Sequence, residues 1–156
     1  MNPETQAQHV ARSGEFDVAC GADEAFPFFS PEGERRWVTG WNPQPVFPGT
    51  ITFCRDTVFR QGEGDDEAIW TIVDVDAESH RAEYVRLAPA SHSAHIVVEV
   101  QHLTSENSRV IVTYAITTFG KGSAPLLEAF SESAYAEKMR NWQRQISAQL
   151  ERRAAF

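Results

Sequence analysis

No stretch of the 156-residue chain is apolar for long enough to span a bilayer, so integral membrane association is not expected. Cysteine is nearly absent: Cys20 and Cys54 stand far apart, with no CxxC or zinc-ligand spacing. That excludes a disulfide framework and a structural zinc, and both thiols are expected to be small buried or half-buried residues in a reducing compartment. Lysine is scarcer still for its class, with Lys121 and Lys138 alone, and only Arg35-Arg36 and Arg152-Arg153 stand as basic pairs. The formal net charge of −8 repels nucleic acid and anionic membrane, so neither is expected as a partner.

Catalytic signatures are missing as well. There is no GxSxG, no HExxH and no Cys–His arrangement. Gly120-Lys121-Gly122-Ser123 resembles the end of a phosphate loop, but Ala115 occupies the place of that motif's first glycine, and a nucleotide site is rejected. Asp65-Asp66-Glu67 lacks the EF-hand spacing and reads as a solvated hairpin tip. His92 and His95 lie three apart without a third ligand, and they read as exposed loop residues. No metal or cofactor is expected. Residues 1–8 are polar and lack the basic and apolar regions of a signal peptide, so they read as a flexible tail on a cytoplasmic, single-domain chain spanning 1–156.

What the sequence does have is a long C-terminal helix, from Ser123 to about Arg153. After Pro125 it contains neither proline nor glycine, and Ala, Glu, Gln, Arg and Leu dominate it. Tyr135, Met139, Trp142, Ile146 and Leu150 recur at steps of three and four and share one face, with Trp142 expected as the core anchor where the helix grips the sheet. Leu126, Leu127, Phe130 and Ala134 point elsewhere. Either the helix bends near Ser131–Ser133 or its halves bury against different things.

Ahead of that helix, Val10–Ala19 alternates as a strand with Phe16 and Val18 on its dry face. A short helix carries Phe26, Phe28 and Phe29 with Pro27 in its first turn, and Ser30-Pro31-Glu32-Gly33-Glu34 opens a second. A turn-rich passage, Thr39–Pro45, follows. Strands are then read over Ile51–Arg60, Ala68–Asp76, Arg81–Ala88, Ala94–Leu103 and Arg109–Phe119. Their connections are too short for crossovers, so they form an antiparallel meander. The class is α+β, with the long helix on the concave face of a curved sheet of six to seven strands.

This order resembles the helix-grip fold of the START-like (SRPBCC) superfamily of polyketide cyclases, dehydrases and lipid-transfer proteins, over about Val10–Leu150. Phe26–Arg35, Trp37, Gly40-Trp41-Asn42-Pro43 and Glu83-Tyr84-Val85-Arg86 are similar to stretches of its bacterial members. The resemblance implies a small hydrophobic or amphipathic ligand held between sheet and helix, without a cofactor. It also keeps open a cofactor-independent cyclase or aromatase, a co-chaperone-like interaction module, and a homo-oligomer.

Even-numbered residues of the last strands are assigned to the helix-facing side, with an odd loop or a bulge reconciling the registers. A five-residue loop at Pro89–Ser93 would set Arg86 near Ile96 and Tyr84 near Val98. The Ala68–Asp76 strand offers two faces, and the resemblance favours Trp70 inward. The inward polar tips are Tyr84, Arg86, Tyr114 and Thr118, with His102 and Arg55 as further candidates. The expected ligand site is therefore Trp70, Tyr84, Arg86, Val98, Tyr114 and Phe130, with Arg86 meeting an acidic or carbonyl head.

Overall fold

The computed structural model describes residues 7–120 and 123–154; Lys121 and Gly122 of the glycine-bearing turn, and the expected tail as far as Gln6, lie outside the described residues. Seven strands form one antiparallel sheet: β1 (His9–Val18), β2 (Gln44–Phe47), β3 (Val58–Gln61), β4 (Ala68–Asp76), β5 (Arg81–Ala88), β6 (His92–Thr104) and β7 (Asn107–Thr118), in the spatial order β1-β7-β6-β5-β4-β3-β2. Between β1 and β2 lie α1 (Ala22–Ala25), a 3-10 turn at Phe26–Phe29, and α2 (Pro31–Glu34). After β7 come α3 (Ala124–Ala129) and α4 (Glu132–Ala154), which packs on the sheet. This is the helix-grip fold. Gln8 is no part of a loose tail: it exchanges backbone and side-chain hydrogen bonds with Thr118 at 2.8–3.3 Å.

The long helix is two helices. Phe130 (φ −115°, ψ 24°) leaves helical geometry, and the hydroxyl of Ser131 accepts from Ala134 N at 3.2 Å, starting α4 afresh. From β1, Arg12 Nε donates to the Phe130 carbonyl at 2.8 Å, a cation at the C-terminal end of α3 that fixes the joint to the sheet. The bend falls where the apolar stripe turns. Gly14 of β1 lets α4 approach: a Cβ there would sit 2.8 Å from Met139 Cγ. Tyr135, deeply buried, donates to the Val112 carbonyl at 2.5 Å. Trp142 is only half-buried, at the margin of the core between Trp37 (5.3 Å) and Tyr114 (6.5 Å), so the anchors of α4 are Tyr135, Met139 and Ile146 instead.

Other expectations need correction. Ile51–Arg60 is not one strand. Thr52 and Thr57 bond side chain to side chain at 2.8 Å, Thr57 N reaches the Cys54 carbonyl, and Asp56 is left-handed (φ 72°), so that the chain turns and the regular strand starts only at Val58. Cys54 is accordingly exposed, while Cys20 is buried. The turn-rich passage conceals β2, whose Pro45 is tolerated because β2 is an edge strand. The β5–β6 connection is residues 89–91, not 89–93. Arg86 therefore pairs with Ala94 and Tyr84 with Ile96: a slip of two that keeps every face but moves every rung. His92 belongs to β6 and is buried, not a loop histidine. His102 and Arg55 are exposed, whereas Thr118 is buried.

Candidate functional site

The inward rows of the sheet place the site. One rung runs Phe59–Trp70–Arg86–Ala94–Ile116–Val10 and the next Ile72–Tyr84–Ile96–Tyr114–Arg12. In β4 a bulge at Val73 resolves the double face: Trp70 and Ile72 are buried and Val73 is turned out. Trp70 stacks on Phe59 (5.8 Å, 10°) and meets Tyr84 edge-on at 6.0 Å. The Tyr84 hydroxyl donates to the Phe29 carbonyl at 2.7 Å, tying the sheet to the short helices. Trp37 and Trp41 dock those helices through indole N–H bonds to the Phe28 and Pro31 carbonyls, both 2.8 Å.

Arg86 extends inward between two rings. Its Cζ lies 5.5 Å from the Trp70 centroid and 5.8 Å from that of Tyr114. Its Nε donates to His92 Nε2 at 3.2 Å, which leaves the His92 proton on Nδ1, 2.8 Å from Ser91 Oγ. Burial, aided by the Arg86 charge, lowers the His92 pKa to about 4, so the ring is neutral and acts as an acceptor. No carboxylate pairs with Arg86 among the described residues. The indole N–H of Trp70, buried beside it, has no hydrogen-bond partner among the described residues. Native proteins rarely leave such a donor orphaned.

Of the six expected residues, Trp70, Tyr84, Arg86, Tyr114 and Phe130 form one chain of contacts, closed by the 5.2 Å pair of Tyr114 with Phe130. Val98 stands a rung away, between Ala82 and Val112 in the core.

Two further groups belong here. Lys138 of α4 holds its Nζ 4.5 Å from the Phe130 centroid and 5.6 Å from that of Tyr114, with no carboxylate partner among the described residues. Burial, then the Arg86 charge, brings its pKa down to about 8. Glu34, the last residue of α2, has no hydrogen bond or ion pair from its side chain among the described residues, and burial raises its pKa well above the usual range. Its charge would also oppose ionisation of Tyr84 and Tyr114, whose phenols burial already pushes up, Tyr114 to about 12. The sequence carried a signal for Lys138: it follows Phe130 and Ala134 by steps of four, at a place where that stripe calls for an apolar residue. Glu34 gave none, because an acid in the first turn of a helix is ordinary.

Chemically, the site sets donors against aromatic walls: Arg86, Lys138, the Trp70 N–H and the Tyr114 hydroxyl, with the Glu34 carboxyl close enough to act on the two tyrosines. It suits an oxygen-bearing head on an apolar body. A separate open groove of ≈620 Å³ runs between β1 and α4, over Arg12, Gly14 and Phe16. No group of three or more His, Cys, Asp or Glu capable of holding a metal occurs among the described residues, and no helix there is long and apolar enough to cross a membrane.

No protein-family model and no curated protein matches the sequence. Solved structures do match the fold. Norcoclaurine synthase from Thalictrum flavum, in complex with dopamine and hydroxybenzaldehyde, superposes with a TM-score of 0.65 at 12% identity over 96% of this chain and 91% of that one. An uncharacterised protein from Rhizobium leguminosarum gives 0.68 at 13% identity, over 94% and 97%. The di-domain aromatase/cyclase BexL of the BE-7585A biosynthetic pathway gives 0.65 at 12% identity, over 88% of this chain and 46% of its own. At these identities the likeness is one of fold, and that fold is the helix grip.

Proposed function

We propose that the protein binds a small amphipathic molecule, an apolar body with a carboxylate or carbonyl head, between the concave face of the sheet and the α3–α4 joint. Trp70, Tyr84, Tyr114 and Phe130 wall the body and Arg86 takes the head. Val98 lies behind them in the core. The observation that carries the reading is Arg86 itself. An arginine that only balanced charge would sit against a carboxylate; this one lies between two rings, aimed by a neutral histidine, beside an orphaned indole N–H. That norcoclaurine synthase has been solved with dopamine and hydroxybenzaldehyde supports no more than the capacity of a helix-grip chain to hold small molecules.

Two fluorescent probes of nearly equal shape test it: 1-naphthaleneacetate, which carries the acid, and 1-methylnaphthalene, which does not. Arg86→Met keeps most of the stem and removes the donors. The acid should lose roughly 10–100-fold in affinity, the worth of a charge-assisted hydrogen bond, and the hydrocarbon should lose almost nothing. Equal affinity of wild type and variant for the acid would overturn the role of Arg86.

A further inference from the structure

One group at this site is not accounted for by holding a head. An ordinary lysine on a long helix pairs with an acid or reaches into solvent. Lys138 does neither. Its amine lies over the faces of Phe130 and Tyr114, with no carboxylate or hydrogen-bond partner among the described residues, and the charge that acts on it is the cation Arg86. Those surroundings, an apolar wall and a second cation, shift the balance from the ammonium ion towards the free amine.

We propose that Lys138 captures a carbonyl compound covalently, condensing with an aldehyde or ketone held at this site to give an imine and one molecule of water. This rests on the binding reading above and commits it to the carbonyl class. In the first step the amine lone pair bonds to the carbonyl carbon, the C=O π pair moves to oxygen, and the ammonium proton passes to that oxygen, giving a carbinolamine. In the second step the hydroxyl takes a proton and leaves as water while nitrogen forms the C=N bond. Loss of the remaining N–H proton leaves the neutral imine. No redox partner is needed. Arg86 and the Trp70 N–H are placed to stabilise negative charge on the oxygen in the first step, and solvent supplies the proton for the second.

The chain is well suited to a test, because it has only one other lysine, Lys121. The intact protein is incubated with 1-naphthaldehyde and sodium cyanoborohydride, which reduces an imine to a stable secondary amine, and the labelled residues are read by peptide mass spectrometry. Lys138 should be labelled on the order of tenfold or more faster than Lys121 near pH 7.5, because more of it is unprotonated than of an ordinary lysine. Its labelling should fall away below about pH 8. The groups around it are Arg86 from β5, Tyr114 from β7 and, beside it on α4, Tyr135; burial pushes both phenols well above that midpoint, and Glu34 of α2 acts on Tyr114 rather than on Lys138. Excess 1-naphthaleneacetate should protect Lys138, and unfolding in urea should abolish the preference. Equal labelling of the two lysines, or none at Lys138, overturns the imine. If Arg86-dependent binding of naphthaleneacetate persists in that case, the binding reading stands without it; if that binding is absent too, both fall.

Discussion

At the scale of the residue, the buried ionisable groups make opposite demands on pH. In the unfolded chain His92 would titrate near ~6.5, whereas in the fold burial and Arg86 hold it to about 4. Between those values the unfolded chain takes up a proton that the native state refuses. The contribution of His92 is therefore complete above ~6.5 and is lost as pH falls towards 4. Glu34 runs the other way. Its native pKa is raised, so its contribution is complete below the unfolded value of ~4.3 and is lost as pH rises through the native one. Asp17, Asp76, Glu83 and Glu137 have lowered pKa values, so their losses fall at more acid pH, in and below the ordinary carboxylate range. The window from pH 6.5 to 5 thus isolates His92 and Glu34. Urea denaturation at pH 7 and pH 5 should show that His92→Gln removes an acid loss of ~2 kcal/mol, the worth of about one and a half pH units. Glu34→Gln should raise stability at pH 7 relative to wild type. An unchanged pH profile in His92→Gln would mean that the ring is solvated and Arg86 is aimed by something else.

At the scale of the element, the weak member is α3, which buries none of its residues fully and is held at its end by Arg12. Arg12→Met should cost ~1–2 kcal/mol, the loss of a hydrogen bond from a charged donor, and should speed amide exchange around residues 127–135 while leaving 139–150 protected. Uniform exchange along α3 and α4 would show that Arg12 does not hold the joint. The joint was legible in sequence because its stripe changes direction at Phe130. The alternation of β5, β6 and β7 likewise showed which side chains face inward, since period two survives any even slip. Register did not show: whether Arg86 meets Ile96 or Ala94 depends on where a turn of three residues starts, and Pro89-Ala90-Ser91 does not announce its edges. Nor did β2, whose Pro45, with Pro43 just before it, reads as turn, or the threonine-bonded turn before β3, whose residues have strand propensity. His92 and Glu34 were hidden because the partners that give them meaning come from other elements, whereas Lys138 showed only as a break in the apolar stripe.

At the scale of the whole molecule, the sheet carries two kinds of interior. Towards Val98, Val100, Val110 and Val112 it is closed and apolar, and Tyr135, Met139 and Ile146 of α4 are buried with it; towards Arg86 and Lys138 it holds cations among rings, with neither cation paired to a carboxylate among the described residues. The second kind is costly. A buried charge without a partner opposes folding, and replacing such charges with apolar groups of similar length commonly stabilises. Retention of both cations at one place is understandable if something else at that place uses them. The double variant Arg86→Met, Lys138→Met should therefore be more stable than wild type by ~1–3 kcal/mol, a rise in Tm of roughly 2–10 °C for a domain of this size. The gain should shrink when 1-naphthaleneacetate is present at saturating concentration, because ligand would stabilise wild type and leave the variant nearly unmoved. Thermal melts with and without the probe separate the two explanations. A variant less stable than wild type in the absence of ligand would mean that the cations serve the fold. A more stable variant that still gains as much from the acid as wild type does would mean that they serve neither the fold nor that ligand.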